Sequence, residues 1–105
     1  MDGDFFDALS NPYRRQIVRM LKWGNYSVNE ITKALEISQP SVSRHLDVLK
    51  KANIVVAERR ANQIIYSLNL SVMQEFVGKM VEFLDEIKTL KGERNYESNK
   101  GSYNN

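Results

Sequence analysis

The sequence predicts a mostly α-helical domain with one small β-hairpin, in the order α-α-α-α-β-β-α. Apolar residues recur at three- and four-residue steps through most of the chain, which is typical of helices packed on one face. Between Ile54 and Leu68 the pattern changes to two short runs rich in β-branched and aromatic residues, separated by a polar turn. A capped segment with one hydrophilic face, residues 38–51, lies immediately before this change and is the most informative stretch of the chain.

The composition excludes several classes of protein. The chain of 105 residues has no cysteine and one histidine, which excludes disulfides, thiolate metal sites and histidine-rich metal sites. No apolar run approaches the roughly 20 residues of a membrane-spanning helix. The acidic start, Met1-Asp2-Gly3-Asp4, lacks the basic residues of a signal peptide. We therefore expect a soluble, cytoplasmic protein with no membrane partner and no cofactor.

Positive charge is concentrated in the middle of the chain. Residues 1–11 carry three acidic residues and no basic one, and residues 61–105 carry five basic and six acidic residues. Residues 12–60 carry ten basic and four acidic residues, a local balance of +6 within a chain of net charge +2. This asymmetry is expected of a surface that meets phosphate groups.

Two short helices are predicted at the start of the domain. The first covers roughly residues 3–9, is apolar, and ends before Ser10-Asn11-Pro12. Pro12 suits the first turn of the second helix, with Asn11 as its N-cap, because proline has a fixed helical φ and no N–H to leave unpaired. This helix is predicted to end near Trp23, and its inner face carries Ile17, Val18, Met20 and Leu21.

The third and fourth helices have strong start signals. Ser27 followed by Glu30 is a capping box, in which each side chain satisfies a backbone amide at the helix start. Ser38 caps the next helix, which carries Val42, Leu46 and Leu49 on one side and Arg44, Asp47 and Lys51 on the other. Two short helices joined by a tight turn, with a polar outer face on the second, form the helix-turn-helix pattern of DNA-binding proteins.

The predicted hairpin after this helix has a basic tip. Its strands cover residues 54–57 and 63–68, and the turn between them carries Arg59 and Arg60. Asn62 is the residue that we expect to take the left-handed conformation of the turn. A basic hairpin directly after a recognition helix is a wing that can reach backbone phosphate or the neighbouring minor groove.

The last predicted helix runs from Asn69 or Ser71 to about Leu90 or Lys91. Its apolar stripe is wider than one face of a small domain needs, which indicates a partner surface. We expect a symmetric homodimer interface formed by Phe5, Phe6, Leu9, Met73, Phe76, Met80, Phe83 and Ile87. The sequence predicts two parts. Residues 1–91 form a DNA-binding and dimerisation domain, and residues 92–105 form a disordered polar tail.

Four segments carry recognisable motifs: residues 8–17, 37–46, 49–55 and 65–68. The most specific are the Ser38-Gln39-Pro40 opening and the Ser43-x-His45-Leu46 signature. Together they resemble the ArsR/SmtB class of small prokaryotic transcriptional repressors over roughly residues 5–90. The resemblance implies a winged helix-turn-helix homodimer that binds a palindromic operator in double-stranded DNA and blocks transcription. It also implies DNA contacts from Gln39, Ser41, Ser43 and Arg44 in the groove and from Arg59 and Arg60 in the wing.

The chain departs from this family at positions that bind metal ions in many members. Ser27 and Asn29 stand where such members have a cysteine pair. The last helix has no histidine, and its acidic residues are Glu75, Glu82, Asp85 and Glu86. Carboxylates alone make a poor transition-metal site, so we expect a member that does not sense metal through cysteine or histidine. In the wing, Ala61 stands where the family usually has glycine.

Individual side chains have expected roles. Arg44 is the main candidate for base readout, because a guanidinium can bind guanine O6 and N7 together. Arg14 is expected to contact DNA backbone at most. His45 is expected to be a partly buried structural residue that bonds a neighbouring backbone group. Trp23 is expected in the core or an interface.

Other functional classes are less consistent with these residues. Catalysis needs a nucleophile, a base and an orienting group that converge, and the single histidine without cysteine or a glycine-rich phosphate loop predicts no enzyme. An alternative is a winged-helix protein-interaction module without specific DNA binding. A third is a regulator released by an unknown small-molecule or protein inducer bound near the terminal helices.

Overall fold

The computed structural model describes the backbone of residues 2–103 and the side chains of residues 4–90. The helices are α1 Asp2–Ala8, α2 Pro12–Leu21, α3 Val28–Leu35, α4 Gln39–Lys51 and α5 Leu70–Tyr103. The strands β1 Tyr26–Ser27, β2 Val55–Arg60 and β3 Gln63–Leu68 form an antiparallel sheet in the order β1-β3-β2. The predicted mostly helical fold with a β-hairpin is confirmed, and β1 is an addition to it.

The chain divides into two compact units. Met1–Val72 contains α1 to α4 and the sheet, and Met73–Asn105 consists of the greater part of α5. Among the described residues, no helix combines the length and the apolar character needed to span a bilayer.

The predicted caps set the starts of the helices around the helix-turn-helix. Asn11 caps α2, with Pro12 in the first turn. The Ser27 hydroxyl accepts a hydrogen bond from the Glu30 amide at 3.2 Å, and the Glu30 carboxylate accepts one from the Ser27 amide at 2.8 Å. The Ser38 hydroxyl accepts a bond from the Ser41 amide at 3.3 Å. Each side chain satisfies N–H groups that a helix start leaves without a partner, and all three predictions are confirmed.

The core of the first unit lies between α2, α3, α4 and the sheet. Its largest fully buried side chains are Ile17, Ile31, Val42, Leu46, Leu49, Ile54 and Val55. Three of these come from one side of α4, and burying each contributes about 1.5–3 kcal/mol. Apolar burial therefore holds α4 with its opposite side outward.

Trp23 is outside the core. Helix α2 ends at Leu21, with Lys22 as its C-cap, two residues before the predicted end. Trp23 therefore falls in the turn that follows, where it is 80% exposed and the Lys22 Nζ lies 5.4 Å from the centre of its ring. Of the two predicted positions, the core is excluded, because a shift of two residues turns a side chain away from the buried face of a helix. The interface position stays a prediction.

Helix α5 is longer than the sequence predicted. Its helical backbone continues past Leu90 and Lys91 to Tyr103. A single glycine at Gly92 costs a helix only about 1 kcal/mol, and the residues after it include helix-favouring Glu93 and Arg94. The predicted disordered tail, residues 92–105, lies outside the residues whose side chains are described.

Candidate nucleic-acid interface

The outward face of α4 carries the principal candidate residues. Its exposed side chains include Pro40, Arg44, Asp47 and Lys51, which lie opposite the buried apolar stripe. Arg44 is in the second turn, where a guanidinium has room to approach a base edge with two parallel N–H groups. The helix therefore presents two cations, Arg44 and Lys51, and one carboxylate, Asp47, on the side that is free of the core.

The other residues predicted to enter the groove occupy two flanks of α4. Gln39 is the exposed first residue of the helix, and Ser43 lies one turn later on the same flank. Ser41 is two residues before Ser43 and so points about 200° away around the axis. Both serines are half-buried, and the Ser41 hydroxyl accepts a hydrogen bond from the Ser38 hydroxyl at 2.9 Å. Gln39 and Ser43 thus share one flank and Ser41 lies on the other, with Arg44 between them, about 60° around the axis from Ser41 and about 100° from Ser43.

The turn of the wing is made by Ala61 and Asn62. Arg60 pairs with Gln63, which leaves a loop of two residues between β2 and β3. The positive backbone angle is at Ala61, with φ of 55°, so the prediction that Asn62 takes this conformation was wrong. Two-residue hairpin turns that match the twist of their strands need positive φ at the first loop residue, which is the position where the family usually has glycine.

The two wing arginines lie on opposite faces of the hairpin. Successive side chains of a strand alternate between faces, so Arg60 shares a face with Glu58, and its Nη2 lies 3.2 Å from the Glu58 Oε1. Arg59 shares the other face with Ala57 and is paired with Ile64 on β3. Both arginines are exposed. A DNA strand that lies against one face of the wing would therefore contact Arg59 and Arg60 from different sides of the hairpin.

An open cleft of about 170 Å³ lies where the wing approaches the starts of two helices. It is lined by Ser27, Val28, Asn29, Gln39, Asn62, Gln63 and Ile64. The cleft brings Gln39, the first residue of α4, together with the turn of the wing. Its side-chain amides can donate and accept hydrogen bonds, which suits contacts to sugar and phosphate that carry no sequence information.

His45 has a partner that the sequence did not predict. The side chain is half-buried, and its Nδ1 lies 3.2 Å from Nη1 of Arg14 on α2. The expected bond to a neighbouring backbone group is therefore replaced by a bond to a side chain 31 residues away. Burial, followed by the charges of Arg14 and Arg44, lowers the pKa of His45 below its usual value. No local sequence signal could have revealed this contact.

The two positions that match the cysteine pair of the resembled family have a different use here. Ser27 is 5% exposed, and its hydroxyl is engaged in the cap of α3. Asn29 is exposed and lines the cleft beside the wing. Over residues 4–90, no three side chains of the His, Cys, Asp or Glu types are grouped in a way that could hold a metal ion.

The described part of α5 exposes a broad apolar surface. Of the residues predicted for a dimer interface, Phe83 is 55% exposed, and Met73, Phe76, Met80 and Ile87 are half-buried. The prediction omitted Val77, Val81 and Leu84, which lie on the same half of the helix and are each more than half exposed. An exposed apolar surface of this kind is typical of an interaction site.

The predicted interface residues of α1 differ among themselves. Phe6 is 54% exposed and Leu9 is half-buried, so both can contribute to a surface. Phe5 is 4% exposed and belongs to the core of the protomer. Its inclusion in an interface does not fit this burial, because neighbouring positions on a short helix point in different directions.

Comparisons with known proteins agree with this geometry. The family model described as "Bacterial regulatory protein, arsR family" matches residues 11–56. The chain is 38% identical over 84 residues to the transcriptional repressor SdpR of Bacillus subtilis (strain 168), and the match covers 80% of this chain and 93% of SdpR. It is 39% identical over 66 residues to the HTH-type transcriptional repressor SmtB of Mycobacterium tuberculosis (strain CDC 1551 / Oshkosh). That match covers 63% of this chain and 49% of SmtB, so the chain spans about half the length of that relative.

A solved structure matches the fold over a similar range. It is the solution structure of the homodimeric winged helix-turn-helix DNA-binding domain of Mb0332 from Mycobacterium bovis. The TM-score is 0.66 at 26% sequence identity, and the match covers 81% of this chain and 80% of that one. Sequence and fold agree, and the chain belongs to the ArsR family of bacterial regulatory proteins, with a winged helix-turn-helix fold.

Proposed function

We propose that this protein is a homodimeric transcriptional repressor that binds a palindromic operator in double-stranded DNA in the cytoplasm, and that it is not an enzyme. Family membership supports the proposal, since SdpR and SmtB are both named transcriptional repressors. The observation that carries it is the orientation of α4. Its apolar stripe is fully buried, and Arg44 is exposed on the opposite side.

In this proposal α4 lies in the major groove and the wing lies against the backbone. Arg44 binds a guanine, and Gln39 and Ser43 on the adjoining flank contact neighbouring bases or phosphates. Ser41 contacts the groove wall from the other flank. Arg59 and Arg60 bind phosphate from the wing, which contributes affinity without sequence preference.

Dimerisation places two copies of α4 on one side of the DNA. The proposed interface uses Phe6 and Leu9 of α1 and the apolar half of α5, which carries Met73, Phe76, Met80, Phe83 and Ile87. The homodimeric Mb0332 domain supports this assembly. Two-fold symmetry then predicts half-sites about one helical turn of DNA apart. The proposed working domain is residues 1–91, with residues 92–105 as a polar extension.

We also propose that this member does not sense metal through cysteine or histidine sites. The use of the Ser27 hydroxyl as a helix cap supports this, because the position is already committed to the start of α3. An inducer of this repressor would then be a small molecule or a protein.

The test is a DNA-binding titration with the fragment upstream of the protein's own gene. Fluorescence anisotropy at several salt concentrations should give an affinity whose logarithm falls linearly with the logarithm of salt, and binding should survive excess random competitor DNA. Binding that competitor removes completely, or that does not respond to salt, would support the protein-interaction alternative. A chelator and added Zn²⁺ should each leave the affinity unchanged, and a marked change with either would contradict the metal-independent assignment.

A further inference from the structure

One guanidinium joins three helices of the first unit. Arg14, on α2, donates from Nε to the Ala8 carbonyl at 2.6 Å and from Nη2 to the Asp7 carbonyl at 3.2 Å. These carbonyls are at the C-terminal end of α1, where helix carbonyls lack partners within the helix. Nη1 of the same side chain reaches His45 Nδ1 on α4 at 3.2 Å. Arg14 thus connects the end of α1 to the proposed recognition helix.

The chemistry of this contact fixes the state of the histidine. An arginine side chain has donors and no acceptor, so Nδ1 of His45 must be the acceptor. His45 is therefore neutral and carries its proton on Nε2. A proton added at Nδ1 would remove the acceptor and place a second positive charge beside the guanidinium.

The surroundings of His45 favour that neutral form. Burial comes first, and the charges of Arg14 from α2 and Arg44 from α4 also lower its pKa. The Tyr13 ring, also from α2, lies with its centre 5.9 Å from the centre of the imidazole ring. The described ionisable side chains of α1 are Asp4 and Asp7, and neither is among the charges that shift the pKa of His45.

The bond also has a directional effect on α4. The buried residues Val42, Leu46 and Leu49 hold the helix by apolar contact, which is not directional and tolerates small rotations about the helix axis. A hydrogen bond requires a defined distance and angle, so the bond to His45 limits such rotations. Arg44 immediately precedes His45 in the chain, and a rotation of α4 moves its guanidinium across the groove.

Resting on the DNA-binding function proposed above, we propose that Arg14 is a positioning residue for operator recognition. Through neutral His45 it fixes the rotation of α4 and hence the placement of Arg44, and protonation of His45 releases α4 and weakens binding to the operator. The opposite sign would be expected from charge alone, because a protonated histidine near DNA adds an attraction to phosphate.

The test compares operator and random-sequence DNA from about pH 5 to about pH 8, the range in which a histidine titrates. The wild-type protein should lose about tenfold in its preference for the operator as the pH falls, the loss expected for one charge-assisted hydrogen bond. His45→Gln should have a flat profile, because the glutamine side chain does not titrate in this range. Arg14→Gln should bind the operator about tenfold more weakly at high pH and lose the pH response.

Where DNA is bound, three outcomes of this titration would overturn the inference. They are operator preference that is constant or increases as the pH falls, a His45→Gln profile that follows the wild type, and an Arg14→Gln protein that is folded and keeps wild-type operator preference and its pH response. If no DNA is bound at any pH, the proposed function fails and this inference fails with it, which is a result distinct from a flat profile.

A measurement on the wild-type protein without DNA tests the Arg14–His45 bond even if a variant does not fold. Because the chain contains one histidine, the imidazole nitrogens of tag-free, ¹⁵N-labelled protein can be assigned without mutation. The nuclear magnetic resonance spectrum at neutral pH should show an unprotonated Nδ1 and a protonated Nε2. The reverse tautomer would exclude the Arg14 bond and overturn the inference.

Discussion

The guanidinium of Arg60 lies 3.2 Å from the carboxylate of Glu58, two residues earlier on the same strand of the wing. Both side chains are mostly exposed, at 64% and 70%, so the pair stabilises the fold little. Its larger effect is on DNA, because Glu58 compensates the charge of a residue that we place against phosphate and itself repels phosphate. If the wing contacts phosphate as proposed, we therefore expect Glu58 to weaken binding.

We expect Glu58→Gln to bind all DNA sequences more tightly, by about twofold at low salt, the size of one exposed ion pair. Anisotropy titrations on operator and random DNA at several salt concentrations measure this. Glu82→Gln, which removes an equal charge from α5, is the matched control. A gain restricted to the operator, or an equal gain from Glu82→Gln, would contradict the assignment of the wing.

Arg44→Ala and Arg60→Ala should differ in kind. Removing Arg44 should cost about 1–3 kcal/mol on the operator and relax base preference at one position in each half-site, since it removes a base contact. Removing Arg60 should weaken operator and random DNA alike and reduce the salt slope, since it removes a phosphate contact. Binding selection on a randomised operator separates the two. Equal losses on operator and random DNA for Arg44→Ala would refute its role in readout.

Ala61→Gly should stabilise the protein. A residue with a side chain costs about 1–2 kcal/mol in the left-handed region, and glycine avoids this cost but gives up about 0.4–1 kcal/mol through its freer unfolded chain. The free energy of unfolding should therefore rise by up to about 1.5 kcal/mol. Ala57→Gly, on the preceding strand β2, should lower it. A loss of stability in both variants would show that the turn does not carry the positive angle at Ala61.

Phe83→Glu should weaken the dimer. Phe83 is 55% exposed on the apolar half of α5, and a charge there would be buried without a partner in a dimer interface. The dimer dissociation constant should increase at least tenfold. Light scattering over a range of concentrations measures this, with Thr89→Glu on the opposite side of the helix as the control. A wild-type protein that is monomeric at micromolar concentration would remove Phe83 from an interface altogether.

Stability should depend on pH through His45. In the folded chain, burial and the charges of Arg14 and Arg44 lower the pKa of His45 below 6.5, the ordinary value for histidine. The folded state therefore binds this proton less readily than the unfolded chain does. The contribution of His45 to the free energy of unfolding is then fully present above about pH 6.5. It is lost as the pH falls through the lowered pKa. Urea unfolding followed by circular dichroism measures the effect. Tryptophan fluorescence would be a poor reporter of unfolding, because Trp23 is already 80% exposed in the folded chain. His45→Gln should lack this component.

The sequence was sufficient where the deciding interactions are local. The caps at Asn11, Ser27 and Ser38 each depend on residues within three positions, and all were predicted. The buried side of α4 was also predicted, because a helix of 13 residues shows its period clearly. These elements fix the orientation of the proposed recognition helix, and the proposed function could therefore be predicted from the sequence.

Prediction failed where distant parts of the chain decide the outcome. Strand β1 has two residues and exists because Tyr26 and Ser27 pair with Tyr66 and Ile65 on β3, about 40 positions away. The conformation of Ala61 follows from the register of β2 and β3. Local propensity would instead assign this left-handed conformation to an asparagine. The bond from Arg14 to His45 spans 31 positions and has no local signature.

Ser27 is at once the last residue of β1, where it pairs with Ile65, and the N-cap of α3. No residue separates the strand from the helix, so the chain has no flexible joint at this point. The sheet that carries the wing and the first helix of the helix-turn-helix are therefore expected to move as one body. If the proposed dimer is released from DNA by an inducer, we therefore expect the angle between α3 and the sheet that carries the wing to stay constant within each copy.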